Sequence, residues 1–165
     1  MDGQELKQDF FISHASQDKE RYIESLAKEL TARGVTYWLD SIEIPWGDKL
    51  ALKINEGLRQ SNYVLLCLSR NFLGRSWPEI EMNAALSMQT DLGQTKVLPL
   101  ILDSREQILS WYPIIRGLVY REFDEGLSKI ADELAKLASM QVIAPGYIHV
   151  TIESLHSGQL SNVVV

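Results

Sequence analysis

A parallel α/β sheet covered by helices on both faces is the fold class that this sequence predicts. Three observations predict it. Short apolar runs alternate with amphipathic helical patterns as far as Leu137, and that alternation implies parallel strands joined by right-handed crossovers. Tyr63-Val64-Leu65-Leu66-Cys67-Leu68 is apolar throughout, which suits a central strand buried on both sides. Gly34 follows an apolar stripe of period 3.6, where a helix C-terminus favours glycine.

The elements follow in order. Asp9 to Ser13 reads as a short apolar strand, and His14-Ala15-Ser16-Gln17-Asp18 as a polar loop in which Ser16 or Asp18 caps the next helix. That helix runs to about Arg33, with Tyr22, Ile23, Leu26, Ala27 and Leu30 facing inward. Val35 to Leu39 is the second strand, rich in β-branched and aromatic residues. Asp40 to Asp48 is a loop carrying Pro45, Trp46 and Gly47, and Asp48 caps a helix through Gln60. Ser61-Asn62 is a turn before the central strand.

A helix then opens at Ser76-Trp77-Pro78-Glu79-Ile80-Glu81. Ser76 as N-cap and Glu79 three residues on form a capping box, with Pro78 in the first turn. Lys96 to Leu102 is the fourth strand, although Pro99 removes a ladder donor and favours an edge or a bulge. Ser104 to Trp111 forms a short helix or turn, Leu118 to Tyr120 a fifth strand, and Glu125 to Leu137 the last amphipathic helix. Beyond it, Ala144-Pro145-Gly146 breaks the chain and Tyr147 to Ile152 alternates like a strand. Residues 138–165 read as a C-terminal tail or the truncated start of a second module. The apolar ending Val163-Val164-Val165 favours truncation.

Composition narrows the function. The 45% hydrophobic and 23% charged content is that of a soluble globular protein. A formal charge of −6 without a basic cluster argues against nucleic-acid binding. The acidic, polar start is not a signal peptide, and no apolar run approaches the ~20 residues that span a bilayer. The single cysteine, Cys67, forms no intramolecular disulfide and fits a reducing cytosol. His14, His149 and His156 lack the partners of a structural metal site. No glycine pair follows the first strand to cradle a phosphate, and neither Ser13 nor Ser69 has the flanking glycines of a nucleophile elbow. A phospho-accepting receiver needs acidic residues where this chain has Ser13-His14.

One residue stands out. Two positions along a helix turn through about 200°, so Glu81 points nearly away from Glu79 and shares a face with Trp77, Ala84, Ala85 and Met88. A carboxylate on an apolar stripe costs free energy unless something pairs with it or uses it. Either it forms a salt bridge with an Arg or Lys at the core edge, or the helix face is rotated so that Glu81 reaches water, or it serves chemistry. In open parallel sheets ligands bind beyond the carboxyl ends of the strands, and the loops after Ser13, Leu39 and Ser69 lie there.

Several markers recur together: Phe10-Phe11-Ile12-Ser13-His14, Trp38-Leu39-Asp40, Ile44-Pro45-Trp46-Gly47-Asp48, Ser69-Arg70-Asn71-Phe72-Leu73, Ser76-Trp77 with Glu81 four residues after the tryptophan, and Val97-Leu98-Pro99-Leu100. In this order and spacing the chain resembles a Toll/interleukin-1 receptor (TIR) domain over roughly Asp9 to Leu137, so that residues 1–137 form the domain. The resemblance implies a flavodoxin-like three-layer sandwich whose five-stranded parallel sheet has the order 2-1-3-4-5, and it accounts for Pro99. Many bacterial and plant members cleave NAD⁺ at the nicotinamide–ribose bond, through a glutamate that corresponds by position to Glu81. Pro78 replaces a cysteine common in the family, which stiffens the helix start and leaves the glutamate in place.

On that reading NAD⁺ is a substrate, with no metal and no further cofactor. Phe11, Ser13 and His14 line the pocket floor and Ser69 its back edge. Asp40 bonds a ribose hydroxyl or caps its loop. Trp77 walls the ribose or sits in the core, and Trp46 stacks on adenine or anchors assembly. The resemblance also implies head-to-tail packing with other TIR domains through the loop from Asp40 to Asp48 and an effector role in bacterial anti-phage defence, while the lone cysteine and the polar start point to a cytoplasmic location. The alternative is a non-enzymatic adaptor that binds other TIR domains, a class that commonly lacks the glutamate.

Overall fold

Two hydrophobic clusters, one on each face of a parallel sheet, organise the chain. The computed structural model describes residues 7–41, 49–73, 78–88 and 96–141. Strands β1 (Gln8–His14), β2 (Tyr37–Ser41), β3 (Ser61–Leu68), β4 (Val97–Ile101) and β5 (Arg121–Glu122) form a five-stranded sheet in the order β2-β1-β3-β4-β5, with every pairing parallel. The helices are α1 (Glu24–Ala32), α2 (Leu50–Gln60), α3 (Arg70–Leu73), α4 (Glu79–Leu86), α5 (Arg105–Trp111) and α6 (Leu127–Gln141). This is the doubly wound arrangement that the alternation predicts.

Strand alternation decides the faces. Phe10, Ile12, Leu65 and Cys67 join Leu26 and Leu30 of α1 and Ile130, Ala131 and Leu134 of α6. Phe11, Val64, Leu66 and Leu68 meet Leu50 and Ile54 of α2, Met82, Ala85 and Leu86 of α4, and Ile108 and Leu109 of α5. Cys67 is fully buried, and burial, reinforced by the charge of Asp18, pushes its thiol pKa up, so it behaves as a small core residue.

Several boundaries differ from the sequence reading. Neither Ser16 nor Asp18 caps α1. A 3₁₀ turn at Ser16–Asp18 and a π-helical stretch at Lys19–Ile23 lead into it, and Asp18 turns inward instead. Gly34 does close the helix, with φ 72°, a conformation open to glycine without a Cβ penalty. β2 begins and ends two residues later than expected, so Asp40 lies within a strand, paired with Ser13. The N-cap position of α2 falls on Lys49, without a side-chain cap bond, and Asp48 lies outside the described residues. A missing cap costs about 1 kcal/mol, whereas Leu50 and Ile54, both fully buried, contribute about 1.5–3 kcal/mol each. Core contact therefore decides where α2 sits. Ser61-Asn62 opens β3 directly and makes no separate turn. β5 is Arg121–Glu122, while Val119 of the expected strand is 79% exposed. α6 continues to Gln141, past the expected boundary at Leu137.

The capping box is also corrected. α4 starts at Glu79, with extended Pro78 in the N-cap position and no side-chain cap bond. Ser76 lies outside the described residues, and Glu79 is an exposed first-turn residue. Glu79→Ala should therefore change stability by no more than about 0.5 kcal/mol, in line with other surface substitutions. Urea unfolding checks this.

Pro99 fits inside β4 for a reason visible in the ladder. Lys96 O accepts from Val64 N and Leu102 N donates to Leu68 O, so even-numbered residues bond to β3 and odd-numbered ones face β5. On that side β5 pairs only with Leu100 and Ile101, so the nitrogen of Pro99 lies just before the ladder begins.

Candidate active site

The carboxyl ends of β1 and β2 carry Ser13 and Asp40 as register partners. Ser13 follows Phe11 on the sheet face packed by α2 and α4. Its hydroxyl is fully buried and has no hydrogen-bond partner among the described residues. Asp40 lies beside it. Its Oδ2 is 3.0 Å from Lys53 Nζ of α2, a charge contact that lacks the alignment of a directed hydrogen bond.

Glu81 reaches the same region from α4. The buried stripe of that helix is Met82, Ala85 and Leu86, and Glu81 lies half-buried at its margin, on the side of Ala85 and Met88. Ala84, expected on the inner face, is exposed. Glu81 Oε2 accepts a hydrogen bond from Leu50 N at 3.3 Å, and Glu81 forms no ion pair among the described residues. Leu50 N–H is the first donor of α2, where the helix dipole attracts a carboxylate by about 0.3–1 kcal/mol. That hold is weak enough for a ligand to compete with it.

The other expected pocket residues divide between the two faces. Phe11 is a core ring on the α2 side, packed against Gly57. His14 alternates onto the α1 side, is buried, and its Nδ1 donates to Ala15 O at 2.9 Å. Ser69 is fully buried. Its hydroxyl donates to Asp18 Oδ2 at 2.5 Å and accepts from Phe72 N at 3.1 Å, so it braces the end of β3. Asn71 Nδ2 donates to the other Asp18 oxygen at 2.7 Å. Trp46 and Trp77 lie outside the described residues.

Asp40, Ser13 and Glu81 thus gather around the first turn of α2, while His14 and Ser69 belong to a separate polar bracket around Asp18. Sequence reasoning missed two residues. Lys53 gave no signal, since a lysine on the polar flank of a helix is ordinary. Asp18 had one, because it is an acidic residue in a loop at the carboxyl edge, where ligand-binding and bracing groups collect. Among the described residues, no group of three or more His, Cys, Asp and Glu side chains is arranged to hold a metal ion, and no helix is long and apolar enough to cross a membrane. A cavity of about 610 Å³ lies elsewhere, between β4 and α6, walled by Leu98, Pro99, Leu118, Leu134 and Leu137. It is mostly apolar, with Arg121, Glu133 and Lys136 also lining it, and holds none of the three gathered polar residues.

Fold and site together define a doubly wound α/β domain with a glutamate beside its second helix that has no ion-pair partner among the described residues. Residues 10–138 match the family model described as TIR domain, and the chain belongs to the TIR domain family. It is 35% identical over 135 residues to the 2′ cyclic ADP-D-ribose synthase BtTIR of Bacteroides thetaiotaomicron, covering 82% of this chain and 42% of that protein. It is 32% identical over 139 residues to the NAD(+) hydrolase TcpC of Escherichia coli O6:H1, covering 83% and 45%. The chain therefore spans less than half the length of either relative. Among solved structures, the RPS4 and RRS1 TIR domain heterodimer superposes with a TM-score of 0.56 at 16% identity, covering 81% of this chain and 97% of that one. That likeness supports the fold alone.

Proposed function

We propose that this domain cleaves NAD⁺ at the nicotinamide–ribose bond, with Glu81 as the catalytic carboxylate. The observation that carries the reading is a half-buried glutamate with no cationic partner among the described residues, held beside the carboxyl edge of the sheet by a single weak bond. Relatives named as an NAD(+) hydrolase and a cyclic ADP-ribose synthase add support.

The chemistry follows from charge. The C1′–N bond breaks with its electron pair leaving on nicotinamide, which departs neutral and needs no general acid. Positive charge builds on the ribose, as in other glycosyl transfers. An ionised Glu81 beside that ribose stabilises the charge more in the transition state than in the ground state. Water capturing C1′ and losing a proton gives ADP-ribose; a ribose hydroxyl of the same molecule gives a cyclic product. Asp40 and Ser13 supply acceptor and hydroxyl groups that suit a ribose diol. NAD⁺ is then a substrate, and the reaction calls for no other cofactor. Trp77, four residues before Glu81 in sequence, and Trp46, four residues before the start of α2, would wall the nucleotide.

Assembly belongs to the same reading. The loop between β2 and α2 leads straight into the turn that holds Glu81, so a contact between domains on that loop shifts the site. Head-to-tail contacts do not close and build open filaments. The role that fits is an effector of bacterial anti-phage defence that depletes NAD⁺. The test is nicotinamide release from NAD⁺ across a range of protein concentration. Specific activity should rise at least about threefold over a hundredfold range, as expected when closure of the site depends on association. Constant specific activity would remove assembly from the account, and no release at any concentration would leave an adaptor.

A further inference from the structure

Glu81 and Asp40 are held by the same helical turn. Leu50 N–H meets Glu81 Oε2, and Lys53 Nζ meets Asp40 Oδ2. Both residues belong to the first turn of α2, Leu50 offering a backbone N–H at the helix start and Lys53 a side-chain ammonium. The side chains of Lys53 and Asp40 are 34% and 27% exposed, and an ion pair so accessible to water adds little to stability. Its consequence is geometric: it sets where Asp40 rests.

We propose that Lys53 is a positioning residue for substrate binding. Its ammonium holds the Asp40 carboxylate on the α2 face, next to the unpartnered Ser13 hydroxyl. There the two read the vicinal hydroxyls of a ribose, which donate to a carboxylate and exchange hydrogen bonds with a serine. The same positive charge offsets the repulsion between the Asp40 carboxylate and the pyrophosphate of a dinucleotide. Lys53 acts through Asp40 and does not touch the reacting bond. This assignment rests on the NAD⁺ reading above and names how that site holds its substrate.

The experiment is steady-state turnover of NAD⁺ by wild type, Lys53→Met, Lys53→Gln, Lys53→Arg, Asp40→Asn and the Lys53→Met/Asp40→Asn double variant, with folding checked by thermal unfolding. Lys53→Met and Lys53→Gln should each raise KM about five- to tenfold while kcat stays within about twofold, the signature of lost ground-state binding. Lys53→Arg should keep KM within about twofold, because charge and donors remain. Asp40→Asn should resemble Lys53→Met, and the double variant should be no worse than either alone, as coupled residues behave. If wild type binds NAD⁺ without cleaving it, the same comparison is made on Kd. An unchanged KM in Lys53→Met and Lys53→Gln, or effects of Lys53→Met and Asp40→Asn that multiply, overturns this assignment and leaves the NAD⁺ reading intact. A wild type that neither binds nor cleaves NAD⁺ overturns both.

Discussion

Replacing Glu81 with glutamine is expected to lower kcat/KM for NAD⁺ by about 10²–10³, the usual loss when a preorganised electrostatic group is removed from an active site. Glutamine keeps the shape of the side chain and a carbonyl oxygen that accepts from Leu50 N, so the contact at 3.3 Å survives. What disappears is the negative charge. Stability should move by no more than about 0.5 kcal/mol, since the residue is half-buried and its neutral substitute keeps its partner. Activity and unfolding measured on the same sample separate the two effects. A large loss of stability would make Glu81 a structural group, and an activity within about threefold of wild type, under 1 kcal/mol of barrier, would remove it from the chemistry.

Gly57→Ala is expected to destabilise the domain by about 1–3 kcal/mol, the range for overpacking a filled core. A Cβ at this position would fall 2.6 Å from Cδ1 and 2.7 Å from Cγ of Phe11. The ring cannot retreat, because Phe11 is buried in the sheet beneath α2 and shares a cluster with Leu50 and Ile54. The helix must lift instead. Leu50 N–H and Lys53 then move with it, so turnover should fall further than the loss of folded protein explains. Urea unfolding and activity per folded molecule test this. A variant as stable as wild type would show that α2 is not seated on Phe11.

The parts of the fold that could be read from sequence are those where burial alone sets the pattern. The apolar run at β3, the stripe of Leu26, Ala27 and Leu30, and the stripe of Ile130, Ala131 and Leu134 are buried as the periodicity demands. The errors fall where pairing or tertiary contact overrides local composition. Asp40 and Ser41 read as loop, yet β1 pairs with both, and Lys53 meets the charge of Asp40 from another element. Arg121 and Glu122 look like surface residues, yet they form β5 because Leu100 and Ile101 present a free edge.

The site divides in the same way. Glu81 stands out in sequence because a carboxylate beside an apolar stripe conflicts with the helix around it, and the structure shows it half-buried at the margin of that stripe. Ser69 was expected at the pocket, but its hydroxyl is committed to Asp18, 51 residues earlier. No local pattern encodes that bond. Lys53 lay hidden for the same reason, since its partner sits on the strand before its helix and only the crossover brings them together.

The charge at position 81, and not the neighbouring charge at position 79, is expected to drive cleavage of the nicotinamide–ribose bond. The most direct measurement is nicotinamide released from NAD⁺ by wild type, Glu81→Gln and Glu79→Gln at one high protein concentration. Release is expected from wild type, release within about twofold of it from the Glu79 variant, whose side chain is exposed, and at least about a hundredfold less from the Glu81 variant. Undiminished release by Glu81→Gln, or none by wild type, would contradict this expectation.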